Sequence, residues 1–287
     1  MPGTEIQWFP GHMAKTRRMI AENLKNVDIT LEILDARIPY SSRNPEITKL
    51  TASKPSIILL NKASLADPAQ TKKWRDYYTN ENSVCIATDC ITGAGLSDIA
   101  PAVKRLLSEK IERNDEKGVT RQMKAMVLGI PNVGKSSLIN KISGQKKAKV
   151  ENRPGVTVDK QWVTTSVGLT LLDMPGVLWP KFSDRTVGEN LAATGAVKDS
   201  ILDLETLASA VCVRLSALYP ELLKERYKLP DISGLGGFEI LSLIGRKRGF
   251  LVSGGEIDTE RAANTLLDEL RSGKIGRITL DRIKNDA

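Results

Sequence analysis

Between Lys124 and Ile142 the chain reads KAMVLGIPNVGKSSLINKI, which sets Gly129, Gly134, Lys135 and Ser136 in the spacing G-x-x-x-x-G-K-S. That spacing suits a loop that cradles phosphate. The glycines let the backbone approach the anion, successive N–H groups and a helix N-terminus attract it, and Lys135 neutralises its charge. The Ser136 hydroxyl is placed to ligate magnesium, and Asn132, Val133, Gly134 and Ser137 complete the nucleotide-contacting set. The context agrees, because Ala125 to Leu128 reads as a buried strand and the residues after Lys135 have helical composition.

Other residues have matching chemistry. Asp173-Met174-Pro175-Gly176 ends an apolar run, offering a carboxylate near magnesium and a backbone amide, at Gly176, that can sense a terminal phosphate. Thr157 lies between the two motifs and is placed to ligate magnesium when that phosphate is present. Asn61-Lys62 closes the apolar run Pro55 to Leu60, and ligands of open α/β sheets bind at such strand ends. His12 is the one histidine, where Pro10-Gly11 turns into a helix. A histidine there is ordinarily structural or simply exposed.

The elements that must position these groups alternate. Apolar positions at Met13, Ile20, Leu24 and Val27 predict an amphipathic, basic helix over 14–27. Strands are predicted over 29–34, 55–60 and 83–88, the last leading into the loop Asp89-Cys90-Ile91-Thr92-Gly93. Leu96, Ile99, Val103, Leu106, Leu107 and Ile111 form one helical stripe, and the charged stretch 114–120 with Gly118 reads as a linker. Residues 161–166 and 169–172 predict a hairpin around Val167-Gly168. Strands alternating with helices imply a mostly parallel sheet. Beyond about residue 180 the pattern turns helical, with one stripe through Leu204, Leu207, Val211, Leu215 and Leu218 and another through Ala262, Ala263, Leu266, Leu267 and Leu270.

Composition narrows the class. With 41% hydrophobic residues in 287 the chain can build a globular core, and three cysteines without a C-x-x-C pair, beside one histidine, argue against zinc and for a reducing compartment. No apolar run approaches the roughly 18 residues of a membrane helix, which leads to the expectation of a soluble, cytoplasmic protein without a signal peptide. The formal charge of +8 is uneven. Lys and Arg number 17 against 15 Asp and Glu over 1–119, 10 against 4 over 120–184, and 15 against 15 over 185–287. Lys141, Lys146, Lys147, Lys149 and Arg153 exceed what one nucleotide can contact, so they form either a nucleic-acid surface or a solvated basic face. Arg246-Lys247-Arg248 and the set Lys274, Arg277, Arg282 and Lys284 are further basic candidates.

Taken together, Trp8-Phe9-Pro10-Gly11-His12-Met13, Asp35-Ala36-Arg37-Ile38-Pro39 and Gly129-Ile130-Pro131-Asn132-Val133-Gly134-Lys135-Ser136 resemble the YlqF-type GTPases of the ribosome biogenesis GTPase A family. So does chain order: Asn61-Lys62, the guanine-reading pattern, precedes the phosphate loop instead of following it. The resemblance implies an α/β fold, a circularly permuted P-loop GTPase domain over 1–180 and a smaller all-α domain over 181–287 similar to RNA-binding ANTAR domains. It implies a GTP-hydrolysing assembly factor for the large ribosomal subunit, slow alone and stimulated by the subunit. The implied ligands and partners are GTP or GDP, magnesium, potassium and the subunit precursor with its rRNA, with no membrane and a monomeric state off the ribosome. By the same resemblance His12 acts in catalysis and Asn132 holds potassium.

Two departures from ordinary GTPases follow. Val177 stands after Gly176 where many have a water-orienting glutamine, and valine can neither hydrogen-bond nor move a proton. This favours, as an alternative, an RNA-binding switch that hydrolyses little. Ser64 stands where Asn-Lys-x-Asp has its base-reading carboxylate. A charge-assisted contact of about 1.5 to 3 kcal/mol per bond is lost. Guanine preference is then weakened unless Asp67 or the Asp89-Cys90 loop compensates, and a metabolic ATP-dependent kinase becomes a rival reading.

Overall fold

A strand that is apolar on both faces is stable only when both faces are covered, and the runs around residues 30, 58 and 126 meet that demand by forming the middle of one sheet. The computed structural model describes residues 11–119, 121–143, 162–179, 182 and 184–283, with side chains from Ala14. Trp8, Phe9, Pro10, Lys146, Lys147, Lys149, Arg153, Thr157, Lys284 and the His12 side chain lie outside the described residues. In chain order come α1 (Gly11–Leu24), β1 (Ile29–Asp35), α2 (Pro45–Thr51), β2 (Ser56–Asn61), α3 (Pro68–Tyr78) and β3 (Ser83–Ala87). Then follow α4 (Ile99–Leu106), α5 (Ser108–Glu116), β4 (Met123–Gly129), α6 (Lys135–Ser143), β5 (Trp162–Thr164) and β6 (Leu169–Asp173). The remainder is helical: α7 (Arg185–Ala193), α8 (Leu204–Leu218), α9 (Pro220–Tyr227), α10 (Gly237–Arg248) and α11 (Thr259–Arg271).

The sheet order is β3-β2-β1-β4-β6-β5, parallel throughout except for β5 against β6. The chain winds outward from β1 through β2 to β3, then outward on the other side from β4. The direction changes between β1 and β4, the place where open α/β sheets bind ligands beyond their carboxyl ends. Register sets Asp35 level with Asn61, and Ile33 level with Gly129, so three loops leave the sheet side by side.

On one face Ile29, Leu31, Ile33, Ala125 and Val127 belong to a cluster that continues without a break through Leu178 and Trp179 into α7, α8, α10 and α11. The other face is covered in two parts, Met126, Leu128 and Leu172 by Ile20, Val27 and Ile47, and Leu34, Ile58 and Leu60 by Trp74 and Tyr78. Among the described residues no single helix is long and apolar enough to cross a membrane.

Several local expectations are adjusted. The helix predicted over 14–27 runs over Gly11–Leu24, since Asn26 and Val27 turn back on Asn23 and Leu24 to bury Val27. The stripe from Leu96 to Ile111 is broken at Leu107, whose φ of −118° leaves helical geometry, yet Ile99, Val103 and Leu107 stay buried on one side. The charged stretch 114–120 begins as the last turn of α5, which ends at Glu116, and Gly118 at φ +64° follows with Val119 N donating to Asn114 O. Asn44 starts the unpredicted α2, its Oδ1 accepting from Glu46 N at 3.0 Å with Pro45 at the first helical position. The hairpin around Val167-Gly168 is observed.

The turn after β1 is held by a buried charge pair. Asp35 accepts from Arg37 Nε at 2.9 Å and Nη2 at 2.7 Å and from Lys62 Nζ at 3.0 Å. Burial alone would raise Asp35, but the charges and hydrogen bonds of Arg37 and Lys62 outweigh it and hold the carboxyl well below its ordinary value. The contribution is therefore present above the unfolded pKa of about 3.9 and is lost as pH falls below it. Arg37 reaches onward, donating through Nη1 to Arg271 O at 3.2 Å at the end of α11. Removing one partner leaves the other charged and buried, so Arg37→Ala is expected to lower stability by about 3 to 5 kcal/mol in urea unfolding at pH 7. The difference from wild type is expected to shrink as the pH is lowered through 4.

Candidate nucleotide site

The phosphate loop takes its shape from its neighbours. Gly129 ends β4 at φ +152°, and a Cβ there would stand 2.6 Å from Ile33 O of β1. Gly134, at φ +108°, would put a Cβ 2.2 Å from Asn61 Nδ2. Both motif glycines are thus required by what lies against them as well as by their conformation. Asn132 is left-handed at φ 59° and donates through Nδ2 to Gly195 O at 2.8 Å, beyond α7. Lys135 folds back over the loop, its Nζ donating to Gly129 O and Ile130 O at 3.0 Å each. Burial pushes this lysine down to about 8, against the opposing charge of Asp173. Ser136 and Ser137 stand in the first turn of α6, half-buried and exposed.

The end of β6 closes on the same lysine. Asp173 Oδ1 is buried and has no hydrogen-bond partner among the described residues, and burial raises its carboxyl despite the Lys135 charge. A Cβ on Gly176 would lie 2.6 Å from Lys135 Nζ and 3.0 Å from Pro131 N, so only glycine lets this segment reach the loop. Among the described residues no three His, Cys, Asp or Glu side chains gather to hold a metal. One unpartnered buried carboxylate oxygen on a residue that feels the charge of Lys135, Ser136's chain neighbour, instead suits magnesium, which usually takes one or two carboxylates and completes its shell with phosphate and water. Thr157 lies outside the described residues. Val177 is buried, its carbonyl accepts from Asn44 Nδ2 at 3.4 Å, and it lines a small cavity with Thr16, Arg17 and Ile20 of α1. His12 precedes Thr16 by one turn of that helix.

The loops after β2 and β3 form the other end of the site. Asn61 is buried, donates through Nδ2 to Val133 O at 2.8 Å and accepts at Oδ1 from Cys90 N at 3.0 Å. Lys62 is left-handed at φ 60°. Ser64 Oγ donates to Asp89 Oδ2, while Asp89 Oδ1 accepts from Ile91 N at 2.9 Å and Thr92 N at 3.1 Å. Cys90 contributes its backbone amide, and burial pushes its thiol up to about 12. Asp67 is occupied elsewhere: it caps α3 through Ala69 N at 2.8 Å and accepts from Tyr219 OH at 3.0 Å.

The site is therefore gathered from Asn61, Lys62, Ser64, Asp89 and Cys90 at one end and from Asn132 to Ser137, Asp173 and Gly176 at the other. Contacts that sequence reasoning missed support it from a distance. Arg277 donates to Ala66 O at 2.8 Å and Ala63 O at 2.9 Å, and Thr279 Oγ1 accepts from Asp67 N at 3.2 Å, so the C-terminal segment grips the base loop. Partners more than 200 positions apart leave no local signal. Of the basic candidates, Arg248 is tied to Glu269 and Arg277 to the base loop, while Arg246 and Lys247 are exposed.

A permuted strand order, a phosphate loop at the switch point and an Asn-Lys strand end beside it define a circularly permuted P-loop GTPase fold. A family model described as a 50S ribosome-binding GTPase matches residues 124–213. The chain is 49% identical to Ribosome biogenesis GTPase A of Priestia megaterium over 96% of each chain, and 33% identical to Mitochondrial ribosome-associated GTPase 1 of Mus musculus over 96% of this chain and 90% of that one. The solved structure of GNP-bound YlqF from T. maritima superposes with a TM-score of 0.62 at 26% identity, covering 93% of this chain and 98% of that one. The chain belongs to the ribosome biogenesis GTPase A family.

Two outcomes follow from this geometry. With Lys135 near 8 in the ligand-free protein, phosphate binding must keep it protonated, so nucleotide affinity is expected to fall by up to about tenfold per pH unit above 8 in calorimetric titrations. Gly176→Ala is expected to weaken a non-hydrolysable GTP analogue at least tenfold, and GDP less, because the added methyl pushes the segment off Lys135, where a third phosphate is expected to need both.

Proposed function

We propose that the protein binds GTP and GDP across the crevice between β1 and β4, hydrolyses GTP, and acts in assembly of the large ribosomal subunit. The observation that carries this reading is that Gly176 lies against Lys135 Nζ and the buried Asp173 carboxylate feels the same charge, an arrangement that supports binding of a terminal phosphate there. Ser136, Asp173 and Thr157 are the residues we assign to magnesium, whose charge would offset that developing on the transferred phosphoryl group. Lys135 exchanges its loop carbonyls for phosphate oxygens, and the Gly176 amide donates to the terminal phosphate. Asn61 and Lys62 orient the base. The side-chain oxygen of Asn132, whose Nδ2 is held by Gly195 O, is the atom we assign to potassium.

Val177 cannot orient the attacking water, and we assign that role to His12, which can accept or orient a proton near neutral pH. Its helix runs past Val177, which supports the assignment. Residues 1–180 form the nucleotide half and 181–287 the half that meets rRNA, with Arg246 and Lys247 as exposed contacts. The segment from Gly176 through buried Leu178 and Trp179 connects the halves, so loss of the terminal phosphate would be felt in α7. We place the protein in the cytoplasm, monomeric away from the ribosome. The second reading, a switch with little hydrolysis, is favoured by Val177 alone.

Turnover of GTP with purified large subunits separates the two. Wild type is expected to be stimulated at least tenfold by subunits in potassium and less in sodium. His12→Ala is expected to lose the stimulation while retaining GDP affinity. Equal rates with and without subunits would favour the switch, and full stimulation of His12→Ala would remove His12 from the chemistry.

A further inference from the structure

Position 64 carries a hydroxyl where the guanine-reading pattern has a carboxylate, yet a carboxylate stands one hydrogen bond away. The pairing of Leu60 with Ala87 in the sheet brings the loops after β2 and β3 together, and Ser64 Oγ donates to Asp89 Oδ2 across them. Asp89 is buried, and its second oxygen is committed to the amides of Ile91 and Thr92. Burial alone would raise its carboxyl, but the Ser64 hydroxyl and these amides outweigh it and keep Asp89 in the ionised form, below its ordinary value. The other candidate carboxylate, Asp67, is consumed by its helix cap and Tyr219.

A serine hydroxyl has one proton and two lone pairs, and an ionised carboxylate only accepts. With its proton given to Asp89, Ser64 Oγ has lone pairs alone to present to a base. Guanine meets them with its N1–H and 2-amino donors, whereas adenine turns an unprotonated N1 toward the same place. Ser64 is exposed until a base covers it, and two acceptors then set face to face without water leave both unpaired, a basis for rejection.

We propose that Asp89 fixes Ser64 as a hydrogen-bond acceptor, and that this Ser64–Asp89 pair replaces the missing carboxylate in selecting guanine over adenine. The inference rests on the nucleotide-binding reading above and assigns its base specificity. Asp89 is a positioning residue that acts through Ser64.

The test is displacement of a fluorescent GDP analogue from the full-length protein by GDP and by ADP, in magnesium and potassium. Wild type is expected to prefer GDP by about 100-fold or more. In Asp89→Asn the side-chain oxygen still accepts from Ile91 and Thr92, but its NH2 donates to Ser64 and turns the hydroxyl proton outward. The GDP-to-ADP ratio is expected to fall at least tenfold, about 1.4 kcal/mol, with the urea midpoint little changed. Ser64→Ala, which deletes the acceptor and leaves Asp89 and its amides in place, is expected to lower the ratio similarly. Exchanging the two residues, Ser64→Asp with Asp89→Ser, is expected to restore it, whereas Ser64→Asp alone sets two carboxylates together and weakens both nucleotides. A wild-type ratio in either single variant, or no recovery in the exchange, overturns the pair's role while leaving guanine binding intact. A ratio near one in the wild type overturns the guanine reading itself.

Discussion

The nucleotide end of the sheet depends on the side-chain amide of Asn61. It ends β2, yet its nitrogen holds Val133 in the loop after β4, its oxygen holds Cys90 in the loop after β3, and its backbone carbonyl accepts from Ala36 in the turn after β1. Four loops from four strands thus share one residue. The amide donates on one side and accepts on the other, which neither the acceptor-only carboxylate of aspartate nor leucine of similar size can do. The same side chain is why Gly134 cannot carry a Cβ. The candidate base loops and the phosphate loop are in this way one cooperative structure, although their residues lie far apart in the chain.

The permuted order makes that cross-link important. Because the loops after β2 and β3 precede the phosphate loop, the chain leaves the candidate site by way of Asp173, Gly176 and Trp179 and runs directly into the helical half. The helical half in turn returns to the base loops through Arg277, Thr279 and Leu280, the last donating to Arg37 O at 2.7 Å. Asn190 and Asp281 add a buried link to Ser41, with Asn190 Nδ2 donating to Asp281 Oδ1 at 2.8 Å and Ser41 N to Asp281 Oδ2 at 2.7 Å. The hydrophobic core runs on through both halves. Movement of the Gly176 segment therefore has two physical routes to the helices: directly along the chain, and around through Arg37 and the C-terminal segment.

How much of this was legible depended on the range of the forces involved. The phosphate loop is local, because its glycines, lysine and serine are consecutive and their chemistry is fixed by spacing. The apolar runs that became β1, β2 and β4 were equally plain, as was the hairpin at Val167-Gly168. The break at Leu107 was hidden because a stripe of buried residues is compatible with one helix or two. The cap at Asn44-Pro45 was available in the sequence but reads equally as a turn. Ser64 suggested relaxed specificity unless Asp67 or the Asp89-Cys90 loop compensated, and nothing local decides between two such residues, one of them 25 positions away. Only parallel pairing of β2 with β3 brings Asp89 beside it. The grip of Arg277 and Thr279 on the base loop was invisible for the same reason.

The most direct test of this account is calorimetric titration of Asn61→Ala with two ligands, GDP and inorganic pyrophosphate. Pyrophosphate has no base, so a residue that only read guanine would leave its binding unchanged. If Asn61 braces the phosphate loop through Val133, both affinities fall, by at least about tenfold for pyrophosphate and further for GDP. Unchanged pyrophosphate binding beside weakened GDP would contradict the account, because the two ends of the site would then be independent.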